Sequence, residues 1–244
     1  PDSGSKVLPR QNRGWAQVRL ERPGRPTWVE IDLQAIAHNV REIVSWVGPS
    51  IKVMAVLKAD AYGHGAMKVA RTALNNGAAW LGVACLGEAL ALRHAGIDAP
   101  ILILGFTPAW QARDAVLEDA TTTVFSFEVA EALSRAAQSL GRVAQVHVKV
   151  DTGMGRLGLS PSDAARFVKS LHSLPGLQVD GIFTHMAAAD DADLSYTRWQ
   201  LAQFDETLAT LSDSGLLPPH IHAANSACLF RLKESHYNMV RPGI

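Results

Sequence analysis

The chain has 244 residues, 48% of them hydrophobic and 19% charged, and its 23 Lys plus Arg balance 23 Asp plus Glu. This is the composition of a soluble globular protein with room for one large α/β barrel or two smaller domains. The missing basic excess argues against a nucleic-acid partner, and no run of about 18 apolar residues is present to span a membrane.

Residues 1–26 mix Gly, Pro, Arg and Ser without periodicity and read as a flexible leader, with the folded domain expected over 27–244. Asp32 is the expected N-cap of a helix over Leu33–Val47. Short β-branched runs then alternate with helical patterns. The expected strands are Ile51–Lys58, Trp80–Ala84, Ile101–Gly105, Thr121–Phe125, Val143–Val150, Val179–Thr184, His220–Ala223 and Tyr237–Arg241. Seven helices are expected between them, starting near His64, Gly87, Pro108, Glu128, Pro161, Leu194 and Ser226. Eight strands with intervening helices predict a closed (β/α)8 TIM barrel, in which the leading helix fills the gap left after strand eight. An open doubly wound sheet is the rival, but no GxGxxG follows the first strand. Cys85 and Cys228 sit among apolar residues and read as buried free thiols. The end of the chain, just after a strand-like run, suggests a longer gene product.

In such a barrel the chemistry lies where strands end. Lys58 ends strand one and shares parity with Met54 and Val56, so it is expected to face the barrel mouth. Read alone, it is more simply a lysine reaching for solvent. In a desolvated mouth its amine, normally near ~10.4, would fall and could form a Schiff base with an aldehyde. Arg156 follows strand five, His185 ends strand six and Arg241 ends strand eight. Asn225 and Ser226 open a helix after strand seven, where barrels commonly bind phosphate, although simple capping explains them as well. Gly243 permits close backbone approach, so its N–H and that of Ile244 could face an anion. His147 and Lys149 alternate with valines on strand five and should point inward, and His220 and His222 alternate on strand seven. The histidines raise a metal-hydrolase reading. Lys58 and Arg241 stand where such barrels place ligands, and two arginines repel a divalent cation, so no metal is expected.

These motifs resemble those of alanine racemases. Ala55-Val56-Leu57-Lys58-Ala59-Asp60-Ala61-Tyr62-Gly63-His64-Gly65 is similar to the family's pyridoxal 5'-phosphate attachment segment. Lys149-Val150-Asp151-Thr152-Gly153-Met154-Gly155-Arg156-Leu157-Gly158, Phe183-Thr184-His185-Met186-Ala187, Asn225-Ser226 and Arg241-Pro242-Gly243-Ile244 are similar as well. So is the opening Trp28-Val29-Glu30-Ile31-Asp32-Leu33. The resemblance covers residues 27–244. It implies that Lys58 carries the cofactor and is one of two catalytic bases. It also implies that Tyr62, Asn225, Ser226, Gly243 and Ile244 surround the cofactor phosphate. Arg241, with His185 beside it, would meet the pyridine nitrogen, and Arg156 the phenolic oxygen and the substrate carboxylate. Lys149 matches a position that members can carry as a carbamate. The implied activity is interconversion of L- and D-alanine for peptidoglycan precursors, in a cytoplasmic homodimer. The second base, a tyrosine, would come from a C-terminal β domain that these 244 residues do not contain, so the chain alone is expected to be inactive. A non-catalytic pyridoxal-phosphate-binding barrel and a broader amino-acid racemase are the alternatives.

Overall fold

Eight short parallel strands wind into a barrel wall, each of the first seven followed by a helix. The structure is a computed structural model and describes residues 27–243; the leader at 1–26 and the cofactor-binding expectation for Ile244 lie outside that range. The strands are β1 (Lys52–Val56), β2 (Trp80–Val83), β3 (Ile101–Ile103), β4 (Thr121–Val124), β5 (Ala144–Lys149), β6 (Leu177–Phe183), β7 (His220–His222) and β8 (Met239–Val240). The helices are α1 (Leu33–Val47), α2 (Ala66–Asn75), α3 (Leu86–His94), α4 (Ala112–Leu117), α5 (Phe127–Leu140), α6 (Pro161–Leu171), α7 (Ser195–Asp213) and α8 (Ser226–Arg231). Pairing runs β7-β6-β5-β4-β3-β2-β1-β8. The fold is the expected (β/α)8 barrel, and six of the seven helices following a strand begin within about two residues of their expected starts. The segment from Pro108 opens instead with a 3₁₀ turn at Ala109–Gln111 that delays α4.

The strands obey the two-residue period of a sheet buried on both faces. Val53, Ala55 and Leu57 of the first strand segment join the layer between wall and helices. Met54 turns the other way, into a smaller cluster with Trp80, Leu102 and Met239. Asp32 caps α1 as expected, its Oδ1 accepting from the amides of Gln34 at 2.8 Å and Ala35 at 3.1 Å.

The seam between β7 and β8 is stitched rather than laddered. The Asn238 side chain accepts from the Ile221 amide at 2.8 Å and donates to the Pro219 carbonyl at 2.8 Å, and the Arg241 amide reaches the Ala224 carbonyl at 3.0 Å. Tyr237, expected in the eighth strand, has φ +46° and breaks it, so β8 keeps only two residues. The leading helix also does less than expected. α1 packs on α2 and β1, and between α1 and α8 a groove of about 820 Å3 remains over Val53 and Ala55, walled by Ile36, Val40 and Phe230. Cys228 is buried, but Cys85 is exposed, because it occupies the extended N-cap position of α3 on the rim.

The strand ends crowd one another at the mouth. A Cβ on Gly105, just after β3, would collide with the Ala84 carbonyl oxygen, whereas one on Gly87 in α3 would meet nothing. Gly105→Ala should therefore lower stability by about 1–3 kcal/mol in urea unfolding. Gly87→Ala should leave it unchanged or raise it by up to about 1 kcal/mol. Equal midpoints for the two variants would contradict this packing.

Candidate active site

β1 ends two residues earlier than expected, and Leu57 (φ −117°, ψ 18°) turns the chain out of the sheet. Lys58 is therefore not aimed by strand parity. It is exposed on the rim, at the start of a turn of uncommon hand. Ala59, Asp60, Ala61 and Tyr62 all lie in the left-handed region, with φ between 52° and 54°. Each non-glycine residue there costs about 1–2 kcal/mol, so the turn stores roughly 4–8 kcal/mol that its surroundings must offset.

Those surroundings are specific. Glu88 on α3 clamps the turn from below, with Oε1 accepting from the Ala59 amide at 2.8 Å and Oε2 from the Ala84 amide at 2.7 Å. Asp60 Oδ1 accepts from the Ala66 amide at 2.6 Å where α2 begins, and the Asp60 carbonyl accepts from Gly65 at 2.9 Å. His64 Nδ1 lies 2.9 Å from the Ala61 carbonyl. Gly63 and Gly65, at φ +83° and +89°, carry the chain out of the turn in conformations that suit glycine.

This turn brings Lys58 and Tyr62 together, the ammonium 5.8 Å from the centre of the phenol ring. It also brings Tyr62 to β8 and α8. A Cβ on Gly243 would lie 2.8 Å from the Tyr62 hydroxyl, so only glycine lets the two approach this closely. The Gly243 amide, expected to face an anion, donates instead to Ser226 Oγ at 2.8 Å. That bond uses the Ser226 oxygen as acceptor and leaves its O–H to donate elsewhere. Burial raises the Tyr62 pKa, so the phenol stays a neutral donor. Asn225 caps α8, its Oδ1 accepting from the Cys228 amide at 3.0 Å.

Arg241 lies deeper and is buried, with no carboxylate bound to it among the described residues. Its Nη1 donates to His222 Nδ1 at 2.8 Å, and its Nη2 reaches the carbonyls of Thr184 at 2.8 Å and Ala223 at 3.1 Å. His185 Nδ1 lies 3.4 Å from the same Nη2. The Nε–H and the second Nη1–H meet no acceptor among the described residues. Burial pulls the guanidinium down to about 10. Phe183 floors the mouth, with the Arg241 guanidinium 5.3 Å and the Lys149 ammonium 5.2 Å from its ring centre.

The rim is cationic throughout. Burial, then the charges of Arg156 and Arg241, lowers Lys149 to about 8. Burial, then Arg241, Lys149, Arg156 and Lys58, lowers His185 to about 3, so that ring is neutral. Arg156 is exposed at the mouth on the loop after β5. Burial pulls the Asp151 carboxyl upward, but the amides of Gly153, Gly155, Arg156 and Met154 outweigh it and hold the group ionised inside that loop. His147 and Lys149 are buried in the barrel as expected.

Two supporting residues carry no motif of their own. Gln200 on α7 is buried and ties two loops together. It accepts from the Ala187 amide at 2.9 Å and donates to the His185 carbonyl at 3.2 Å in the loop after β6, and donates to Thr152 Oγ1 at 3.4 Å in the loop after β5. Glu88 is the other. In the sequence it looks like an ordinary first-turn helix acid, the only signal being its place four residues after the end of the second expected strand.

A family model described as "Alanine racemase, N-terminal domain" matches residues 31–244. The chain is 47% identical over 220 residues to the alanine racemase of Desulforamulus reducens and 46% identical to that of Symbiobacterium thermophilum. In each case the match covers 90% of this chain and 60% or 58% of the relative, so the chain spans about three fifths of their length. Among solved structures, the alanine racemase of Clostridium difficile 630 in complex with cycloserine superposes with a TM-score of 0.88 at 37% identity. That match covers 91% of this chain and 62% of the other. The Bacillus anthracis alanine racemase with bound L-Ala-P superposes at 0.84 and 40% identity, covering 90% and 57%.

The left-handed turn makes a test independent of any ligand. Glu88→Ala strips the acceptors from two amides and should lower stability by about 2–4 kcal/mol in urea unfolding. It should also speed hydrogen exchange at Ala59 and Ala84. Glu88→Gln, which keeps one oxygen but sets an NH2 against an N–H, should fall between. Unchanged exchange at both amides would mean that the turn is held by something else.

Proposed function

This chain belongs to the family of alanine racemase N-terminal domains, and on that premise we propose that it is the cofactor-bearing barrel of an enzyme that interconverts L- and D-alanine. One observation carries the reading: the Lys58 amine, the Tyr62 and Ser226 hydroxyls and the backbone of Gly243 meet on one rim beside a buried Arg241 that has no carboxylate. Pyridoxal 5'-phosphate fits that set of donors and, when bound, supplies the electron sink that lets an amino acid lose its α-proton.

Each residue then has a task. The Lys58 amine attaches the cofactor aldehyde and moves a proton on one face of the substrate. The Tyr62 and Ser226 hydroxyls point donors at the phosphate, with Asn225 holding the start of α8 in place and Gly243 lining the same cup; a phosphate contact from Ile244 stays an expectation of the resemblance. Arg241 donates to the ring nitrogen from its unused N–H groups. A guanidinium does not surrender its proton to a pyridine, so Arg241 would leave that nitrogen unprotonated and make the bound cofactor a weaker electron sink, which disfavours side reactions. His185, neutral among four cations, adds no positive charge beside it. Arg156 receives the substrate carboxylate and the cofactor's phenolic oxygen. Lys149, lowered to about 8, holds enough neutral amine near neutral pH to take up CO2 as a carbamate, which would give Arg156 an anionic partner.

Racemisation needs a proton group on the opposite face, and none of these residues reaches it. We place that group, a tyrosine, in the part of the family's length that this chain does not span, and we expect the complete enzyme to be a homodimer. These 244 residues alone should then be inactive. Alanine is the expected substrate, with D-alanine for cell-wall peptidoglycan the expected product, made in the cytoplasm. No helix among the described residues is long and apolar enough to cross a membrane.

Lys58 provides the direct test. Protein saturated with pyridoxal phosphate, reduced with borohydride and mapped by peptide mass should carry the label on Lys58, and Lys58→Ala should lose it. Labelling at another lysine, or none in protein shown to be folded, would overturn the assignment.

A further inference from the structure

Beneath Arg241 the barrel holds a buried polar chain that none of the roles above uses. Arg241 Nη1 lies 2.8 Å from His222 Nδ1, and His222 Nε2 lies 2.9 Å from His147 Nδ1. His147 Nε2 in turn points at Asp180 Oδ2 at 3.6 Å, a charge contact longer than a hydrogen bond, and has no hydrogen-bond partner among the described residues. Both imidazoles are fully buried. The chain starts at the mouth and ends at Asp180 in mid-β6, which also faces His220 Nε2 at 3.7 Å and the charge of Lys52 at the start of β1.

Valence sets the direction of this chain for as long as Arg241 and His222 stay in bond. A guanidinium can only donate, so His222 must accept at Nδ1 and carry its hydrogen on Nε2. That hydrogen can only go to His147 Nδ1, which must accept, so His147 carries its own hydrogen on Nε2, facing the carboxylate. Burial holds both rings below the ordinary histidine range, so each is neutral and has one hydrogen to place. The same logic turns an N–H, not a lone pair, of His147 toward Asp180, so His147, His220 and Asp180 do not make a metal site.

The surroundings are shaped to hold this chain. Gly181 sits beside the His147 ring, and a Cβ there would lie 2.6 Å from its Cε1 and Nδ1, so any side chain would displace the ring. Phe183 stacks on His222 with ring centres 4.7 Å apart and planes within 6°, and Trp80 packs against His147 at 5.4 Å. Arg241 is a buried cation among Lys149, Arg156 and Lys58, and a buried charge without a counter-charge is expensive. The carboxylate in line with it is Asp180, two imidazoles away.

We propose that Asp180 is a positioning residue for Arg241: by facing the His147 N–H it keeps His147 and His222 aligned beneath the guanidinium, so that Arg241 sets both tautomers and the same guanidinium hydrogens are left for the cofactor's ring nitrogen. The chain stands on the barrel alone, and only its last step rests on the functional reading given above.

Histidine 15N chemical shifts test it in the intact protein, first without cofactor. His147 and His222 should each show a single neutral Nε2–H tautomer. Asp180→Ala removes the carboxylate at the end of the chain, so His147 shifts, the Arg241–His222 bond loosens, and His222, which Asp180 does not touch, should lose its single-tautomer signature. Asp180→Asn, which can still offer an amide oxygen, should retain it. A merely structural Asp180, paired with Lys52 or His220, would leave His222 unmoved. An Nδ1–H tautomer of His222 in the unaltered protein would overturn the proposal without any variant. So would an unchanged His222 in folded Asp180→Ala. Should Asp180→Ala not fold, Gly181→Ala, which displaces the His147 ring, should scramble the same His222 signal, and no change there would equally overturn it. Correct tautomers in a protein that binds no pyridoxal phosphate would sink the functional reading and leave the chain standing.

Discussion

A guanidinium buried with no carboxylate against it among the described residues constrains the whole mouth of this barrel. Arg241 donates to two carbonyls and an imidazole nitrogen, all uncharged acceptors, while Lys58, Lys149 and Arg156 join it around His185. Such a site repels cations and favours an anionic, electron-rich ligand. Burial, and after it these charges, keeps His185 and His222 neutral. Phe183, under both Arg241 and Lys149, gives the two cations an aromatic face where an acid would have paired with one of them and withdrawn it.

The second constraint is geometric. Four consecutive residues in left-handed conformation are not something local propensity produces, and Glu88 and Asp60 hold them by accepting from backbone amides. The result is that Lys58 and Tyr62 arrive at the rim from a stiff turn and not from a flexible loop, which suits a nucleophile that must meet its target at a set distance. Gly243 completes the arrangement by letting the eighth strand end come up against the Tyr62 hydroxyl.

Much of this was legible in the residues. The run of strands and helices, the Asp32 cap and the Pro161 and Ser226 helix starts follow from period and capping chemistry, and the barrel follows from their order. Lys58, Arg156, His185, Ser226 and Arg241 stand at strand ends, so their convergence was readable too. What escaped was set by tertiary contact. The left-handed turn has no glycine among its four residues to announce it, and Glu88 reads as a common first-turn helix acid. Asp180 looks like a polar residue on the solvent side of its strand until the irregular register between Val146 and His147 brings it to the imidazoles. The exposure of Cys85 and the groove beside α1 depend on how loops and helices settle, which apolar neighbours in sequence do not encode.

The ring nitrogen of the cofactor reports most directly on the central claim, that a buried and uncompensated Arg241 dictates the chemistry of the mouth. With pyridoxal phosphate labelled with 15N at that position and bound to the intact protein, the nitrogen should show the chemical shift of an unprotonated pyridine accepting a hydrogen bond. It should keep that shift through neutral pH. A protonated pyridinium shift would mean that Arg241 does not govern the ring, and the electrostatic account of this site would fail.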